Sequence, residues 1–184
     1  LVYVHELESV IRYFDQTRDA TLSLRYADLL LYPSRAVQDN LVRNHGVDTA
    51  KTRWLPYYFP QADFSFTASA KEEACGRFRQ QWNIPGDAKL VAGMGVVSAR
   101  KGTDRFVEVA RQAIASDDRV YFTWIGDFDD SGLSRQIKTA YEEERYPRQL
   151  IFTGPMAYAS TNLLPFDLFF LSSVEDPYPL VVLE

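Results

Sequence analysis

Cysteine, positive charge and long apolar runs are all scarce in this chain of 184 residues. The one cysteine, Cys75, rules out an intrachain disulfide framework and fits a reducing, cytoplasmic compartment. It follows Ala74 and stands at helical spacing from Phe78 and Trp82, with no histidine near it in sequence. We expect a small packed residue there, not a nucleophile. Lysine and arginine number 20 against 25 aspartates and glutamates, a formal charge of −5. Binding to a phosphate backbone needs clustered cations, so nucleic acid is not an expected partner. No segment approaches the roughly 20 apolar residues that cross a bilayer, and Leu1-Val2-Tyr3-Val4 is too short for a signal peptide. Any membrane association is therefore expected to be peripheral, at the inner face, through regions outside this chain. There is also no internal repeat and no low-complexity tract, which excludes solenoids and fibres.

What remains is an ordinary globular composition: 46% hydrophobic, 14% aromatic and 24% charged. The length suits one full domain, or one domain and part of another. The chain opens on a β-type run without Met and stops inside Leu180-Val181-Val182-Leu183, and it reads as a fragment. From Lys89 onward, short β-rich runs alternate with helical periodicity, the pattern of a parallel α/β sheet. Strands are expected at Leu90 to Gly95, Val120 to Gly126, Leu150 to Gly154 and Asp167 to Leu171. Phe106, Val107, Ala110, Ala113 and Ile114 form one apolar helix face opened by Gly102-Thr103-Asp104. Further helices are expected at Leu133 to Tyr141 and, shorter, Ala157 to Leu163.

The first 60 residues give strand Val2 to His5, a helical region, strand Asp28 to Tyr32, and a helix capped by Ser34 and stopped at Asn44-His45-Gly46. Strand Thr52 to Tyr57 follows, and Phe59 to Ser69 is the best linker. The fold class is thus α/β: a doubly wound parallel sheet in residues 59–184, and part of a second such domain in residues 1–58. The first piece has too few strands to bury both faces of a parallel sheet, which places its partner strands before Leu1.

Doubly wound sheets bind ligands beyond the carboxyl ends of their strands, where strand order reverses. With strand order 3-2-1-4, that point lies between the loops after the first and fourth strands. The first loop offers Gly95, Arg100, Lys101 and Gly102, and the second runs from Ser172 through Glu175-Asp176-Pro177 to Glu184. A diphosphate suits Arg100 as a planar fork, Lys101 as a compact charge, and the free N–H groups of a helix starting near Pro179. A ribose or sugar suits the carboxylates of Glu175, Asp176 and Glu184. Asp127-Phe128-Asp129-Asp130 suggests a metal site, but its flanking glycines favour a loop that opens a helix. Gly93 and Gly95 lack the third glycine of a dinucleotide fingerprint. His45 reads as a helix C-terminal residue favoured by the dipole.

The run Gly95 to Gly102 with Thr103-Asp104-Arg105-Phe106 resembles the glycine-to-Lys-Gly loop of the family-four retaining glycosyltransferases, which pair two Rossmann-like domains in the GT-B architecture. Glu175-Asp176-Pro177-Tyr178-Pro179-Leu180-Val181-Val182-Leu183-Glu184 is similar to their donor-site signature. Ala27 to Pro60 and Trp124-Ile125-Gly126-Asp127 resemble further parts of the family.

The resemblance implies transfer of a glycosyl unit from a nucleoside-diphosphate sugar to a saccharide or lipid-linked hydroxyl, with retention and with neither metal nor cofactor. It implies Lys101, with Arg100, at the diphosphate and Glu184 at the ribose. Asp176 and Glu175 would lie at the sugar, as would His5 at the end of its strand. Backbone around Pro179, Leu180 and Val181 would contact sugar and phosphate beside the Gly95 and Gly102 turn. The chain departs from the family in Val96, where many members have Arg, and in Leu55-Pro56-Tyr57-Tyr58, which replaces an Asn-Gly turn. Seven-residue spacing back from Glu184 lands on Asp176 and leaves the roles of Glu175 and Asp176 open. An epimerase or phosphorylase of the same architecture, and a non-catalytic α/β module, remain as alternatives.

Overall fold

A computed structural model describes residues 1–15, 19–58, 65–156 and 159–183. They form two compact units, Leu1–Phe59 with Glu175–Leu180, and Pro60–Val174 with Val181–Glu184.

The first unit carries three parallel strands in the order β1 (Val2–Tyr3), β2 (Leu30–Tyr32) and β3 (Thr52–Trp54). The helical region between β1 and β2 consists of α1 (Glu8–Phe14) and α2 (Asp19–Tyr26). Helix α3 (Arg35–His45) starts where expected, because the Ser34 hydroxyl accepts a hydrogen bond from the Val37 N–H at 3.4 Å. It stops where expected, because Gly46 takes the left-handed φ of 62° that a Cβ would oppose. Val4, Ile11, Leu24, Leu30, Val37 and Leu41 form its core. His45 does more than face the helix dipole: its Nε2 lies 2.9 Å from Glu8 Oε2 and ties the end of α3 to α1.

The second unit opens with α4 (Ala68–Trp82), capped by Thr67, so the helix begins just inside the expected linker; residues 59–64 of that linker lie outside the described residues. Cys75 sits on α4, half-buried, as its spacing implied. Four parallel strands follow: β4 (Lys89–Met94), β5 (Val120–Ile125), β6 (Leu150–Gly154) and β7 (Leu168–Phe169). Their order in the sheet is β6-β5-β4-β7, the 3-2-1-4 arrangement. Between them lie α5 (Thr103–Ser116), α6 (Gly132–Glu142) and the short α7 (Ala159–Asn162). Residues 157–158 of the expected third helix lie outside the described residues.

Side-chain alternation along the strands explains the layering. Val91, Phe122, Trp124 and Phe152 pack with Phe106, Val107 and Ile137 of α5 and α6. Leu90, Ala92, Ile125 and Ile151 point the other way, onto Phe78 of α4 and Phe166. With both faces buried, the strands read as nearly continuous apolar runs. Strand β7 is shorter than expected because ladder bonds are shared with a side chain: Leu90 N–H donates to the Asp167 carboxylate at 2.8 Å.

The helix expected near Pro179 is replaced by one 3₁₀ turn, Leu180–Val182. Glu184 lies outside the described residues.

Candidate functional site

In the second unit the chain leaves β4 through Gly95, whose φ of 138° turns it sharply across the sheet end. Gly95 N–H donates to the Ile125 carbonyl at 2.9 Å and Val97 N–H to the Asp127 carbonyl at 2.8 Å, and Val97 is fully buried. The loop is therefore anchored on the end of β5. The indole N–H of buried Trp124 donates to the Gly95 carbonyl at 2.8 Å, which holds that carbonyl from inside the core. Gly126 packs so closely that an added Cβ would lie 2.0 Å from the same oxygen. The Asp127–Asp130 stretch is a helix-opening loop, in which Asp129 accepts from Ser131 N–H at 3.0 Å and Ser131 caps α6.

Ser98 and Thr103 close the turn: Thr103 N–H donates to the Ser98 carbonyl at 3.3 Å, and Ser98 N–H to the Thr103 hydroxyl at 3.2 Å. The turn presents Arg100, exposed, and Lys101, half-buried, before α5. The Lys101 stem runs over Gly95, since a Cβ there would meet its Cγ and Cδ at 3.2 Å.

The chain beyond β7 meets this turn. Val174 N–H donates to the Arg100 carbonyl at 2.9 Å, and the Ser172 hydroxyl donates to the Lys101 carbonyl at 3.0 Å. Gly102, at φ 66°, is pressed against Ser172, whose carbonyl oxygen would stand 2.0 Å from an added Cβ. Glu175 and Asp176 follow directly in sequence.

Glu175–Leu180 belongs to the first unit. There the N–H of Ser9, in the first turn of α1, donates to Glu175 Oε1 at 3.2 Å. The Ser34 hydroxyl donates to the Pro177 carbonyl at 2.5 Å. His5, exposed just past β1, is hydrogen-bonded through Nδ1 to the Tyr57 hydroxyl. Its ring centroid lies 4.2 Å from that of Tyr3. Tyr57 packs in turn against Tyr178, with ring centroids 5.3 Å apart and the planes tilted by 56°. Burial raises the Tyr57 pKa above its ordinary 10.0, helped by Tyr3 and Glu6, and burial likewise raises that of Tyr3. Both phenols thus keep their protons at neutral pH.

Pro179 and Leu180 lie in the first unit and Val181 in the second, at the 3₁₀ turn. The expected ribose ligand, Glu184, lies outside the described residues. The sequence reading missed Tyr3, Tyr57 and Tyr178 around His5, as well as Ser172 and Trp124 behind the cationic turn. The signal for Tyr57 was present, in the unusual Leu55-Pro56-Tyr57-Tyr58 corner.

No family model matches the chain. The alpha-galactosylglucosyldiacylglycerol synthase of Streptococcus pneumoniae is 26% identical to it over 144 residues, 76% of this chain and 36% of that protein. The processive diacylglycerol alpha-glucosyltransferase of Acholeplasma laidlawii is 28% identical over 116 residues, 62% of this chain and 33% of that one. Among solved structures, Anabaena Alr3699/HepE in complex with UDP and glucose superposes on 94% of the chain with a TM-score of 0.74 at 22% identity. The chain has the GT-B glycosyltransferase fold. It spans about a third of the length of these curated relatives and 46% of the superposed GT-B structure. Seen in GT-B terms, the second unit is a Rossmann-like domain, with the Arg100–Lys101 turn at the carboxyl end of its first strand.

Proposed function

We propose that this chain is the donor-binding part of an enzyme that transfers a glycosyl unit from a nucleoside-diphosphate sugar to a hydroxyl acceptor, with retention of configuration. The observation that carries the reading is the hydrogen-bonded junction of the Arg100–Lys101 turn with the Ser172–Val174 strand exit. It supports the reading because it holds the backbone of a turn with two adjacent cations at the strand ends, where doubly wound sheets bind ligands. UDP is the favoured nucleotide, because the superposed HepE structure holds UDP.

In this reading Arg100 and Lys101 neutralise the charge that grows on the departing diphosphate, in place of a metal. Their hydrogen-bonded turn is set before substrate arrives, so little reorganisation accompanies the reaction. Leu180 and Val181 offer backbone N–H groups to phosphate and sugar, and Glu184 a carboxylate to the ribose. Asp176, Glu175 and His5 are the hydroxyl-binding groups. The two curated relatives are named for glycosylated diacylglycerols, which favours a lipid-linked acceptor and a peripheral position at the inner membrane face. No helix among the described residues is long and apolar enough to cross a membrane.

Calorimetric titration of UDP against the wild type and Lys101→Ala tests the reading. Loss of one charge-assisted contact costs about 1.5–3 kcal/mol, or roughly ten- to a hundredfold in affinity. Equal heats from both proteins, or none from either, would remove the diphosphate role and leave a non-catalytic module. Retention itself is read from the anomeric NMR signals of the product made by the full-length enzyme.

A further inference from the structure

The first unit holds a pocket of about 710 Å³ where α1, α2 and the end of α3 meet, and none of the site residues above lines it. That size fits a small molecule, since ligand clefts commonly measure about 300–1,000 Å³. Its apolar lining is firmly held, because Ile11, Leu24 and Val47 belong to the buried core.

Three carboxylates, Glu8, Asp15 and Asp48, line the pocket with three permanent cations, Arg12, Arg25 and Lys51. Donors of the protein itself engage all three carboxylates. Glu8 accepts from Arg12 Nε through one oxygen and lies 2.9 Å from His45 Nε2 through the other. Asp15 accepts from the N–H groups of Ala20 at 3.0 Å and Thr21 at 3.2 Å, and from the Thr21 hydroxyl. Asp48 accepts from the Ala50 N–H at 2.9 Å and so caps the 3₁₀ turn Thr49–Lys51. Two of the cations are in the opposite condition. Among the described residues, the exposed side chains of Arg25 and Lys51 enter no ion pair and no hydrogen bond. The Arg25 guanidinium lies over the Tyr26 ring, 5.7 Å from its centroid, a contact that steadies it and leaves its N–H donors uncommitted. Lys51 projects from the capped turn, whose backbone is fixed by Asp48.

We propose that this pocket binds a phosphate-bearing anion between Arg25 and Lys51. A guanidinium offers a planar fork and an ammonium a compact charge, and a tetrahedral phosphate accepts from both. The opposite reading, a metal cation on the carboxylates, fails on the same facts. Those carboxylates are already hydrogen-bonded, and no group of described residues is arranged to hold a metal ion. The phosphate arrives free or as a lipid headgroup, and the chemistry at the two cations is the same. The site does not depend on the glycosyl-transfer reading.

The test has two arms. Inorganic phosphate is titrated calorimetrically into the chain at constant ionic strength, because screening would otherwise mimic a change in affinity. Vesicles of phosphatidylcholine, with and without phosphatidic acid, are assayed by co-sedimentation. Arg25→Gln and Lys51→Gln each remove one charge from an exposed side chain, and circular dichroism checks that the fold survives. Each is expected to weaken binding roughly tenfold, while Lys51→Arg restores most of it and UDP affinity stays at the wild-type value. Heats with inorganic phosphate that fall in both Gln variants support the site and assign a soluble ligand. Binding confined to vesicles with phosphatidic acid, and lost in the same variants, supports it and assigns a headgroup. No binding in either arm overturns the proposal. So does binding that persists unchanged in both Gln variants, or that Lys101→Ala abolishes, since the anion would then sit at the cationic turn of the second unit.

Discussion

Gly95 shows how a residue without a side chain can place a charge. The Lys101 stem crowds the point that a Cβ at position 95 would take, with Lys101 carbons 3.2 Å from it. Gly95→Ala is expected to displace the ammonium group and lower UDP affinity several-fold with little loss of helix content, as titration and circular dichroism would show. Both positions have a positive φ, but Gly102→Ala should cost more, because its obstacle is the Ser172 backbone oxygen at 2.0 Å. No flexible atom can yield there, and urea unfolding should report a loss of about 2–4 kcal/mol. Glu8 carries a pH signature. Burial opposes its charge, but hydrogen bonds from Arg12 and His45 outweigh burial and hold the carboxyl below its ordinary 4.5. The stabilisation is therefore present above about pH 4.5 and fades as pH falls through the lower folded value. The stability gap between wild type and Glu8→Gln, from urea midpoints across an acid series, should narrow below that point. The Glu8–His45 pair was not legible in the sequence, since partners 37 positions apart leave no local pattern.

Elements were far more legible than pairs. Helix α3 was bounded correctly because its start and stop are local chemistry: a hydroxyl at Ser34 and a left-handed glycine at 46. Helix α5 was found through an apolar face whose members Phe106, Val107, Ala110 and Ile114 are all buried. Strand β7 and the expected helix near Pro179 went less well, because a side-chain carboxylate replaces part of the ladder in one and a single 3₁₀ turn stands for the other. The cap offers a test at this scale. Ser34→Ala removes both the bond to Val37 N–H and the one to the Pro177 carbonyl. Stability should fall by about 1 kcal/mol for the cap alone, and a larger drop in denaturant midpoint would measure the second bond.

At the scale of the molecule, the sheet order was inferable because a parallel α/β pattern permits few arrangements. Three separate cores result, one around Leu30 and Leu41 and one on either face of β4 and β5. A ligand that binds only the folded second unit must raise its unfolding free energy, by about 2.7 kcal/mol at a hundredfold excess over Kd. Thermal melts with and without UDP would show this shift in the wild type and a much smaller one in Lys101→Ala. The hydrogen bond from the Trp124 indole to the Gly95 carbonyl gives that experiment an observer already in place. Its ring is 1% exposed, so ultraviolet emission from it is shielded from solvent, yet its one polar atom touches the loop that carries Lys101. Any movement of Gly95 on nucleotide arrival changes the dipole felt by the excited indole, which makes the chain its own fluorescent sensor without an attached dye.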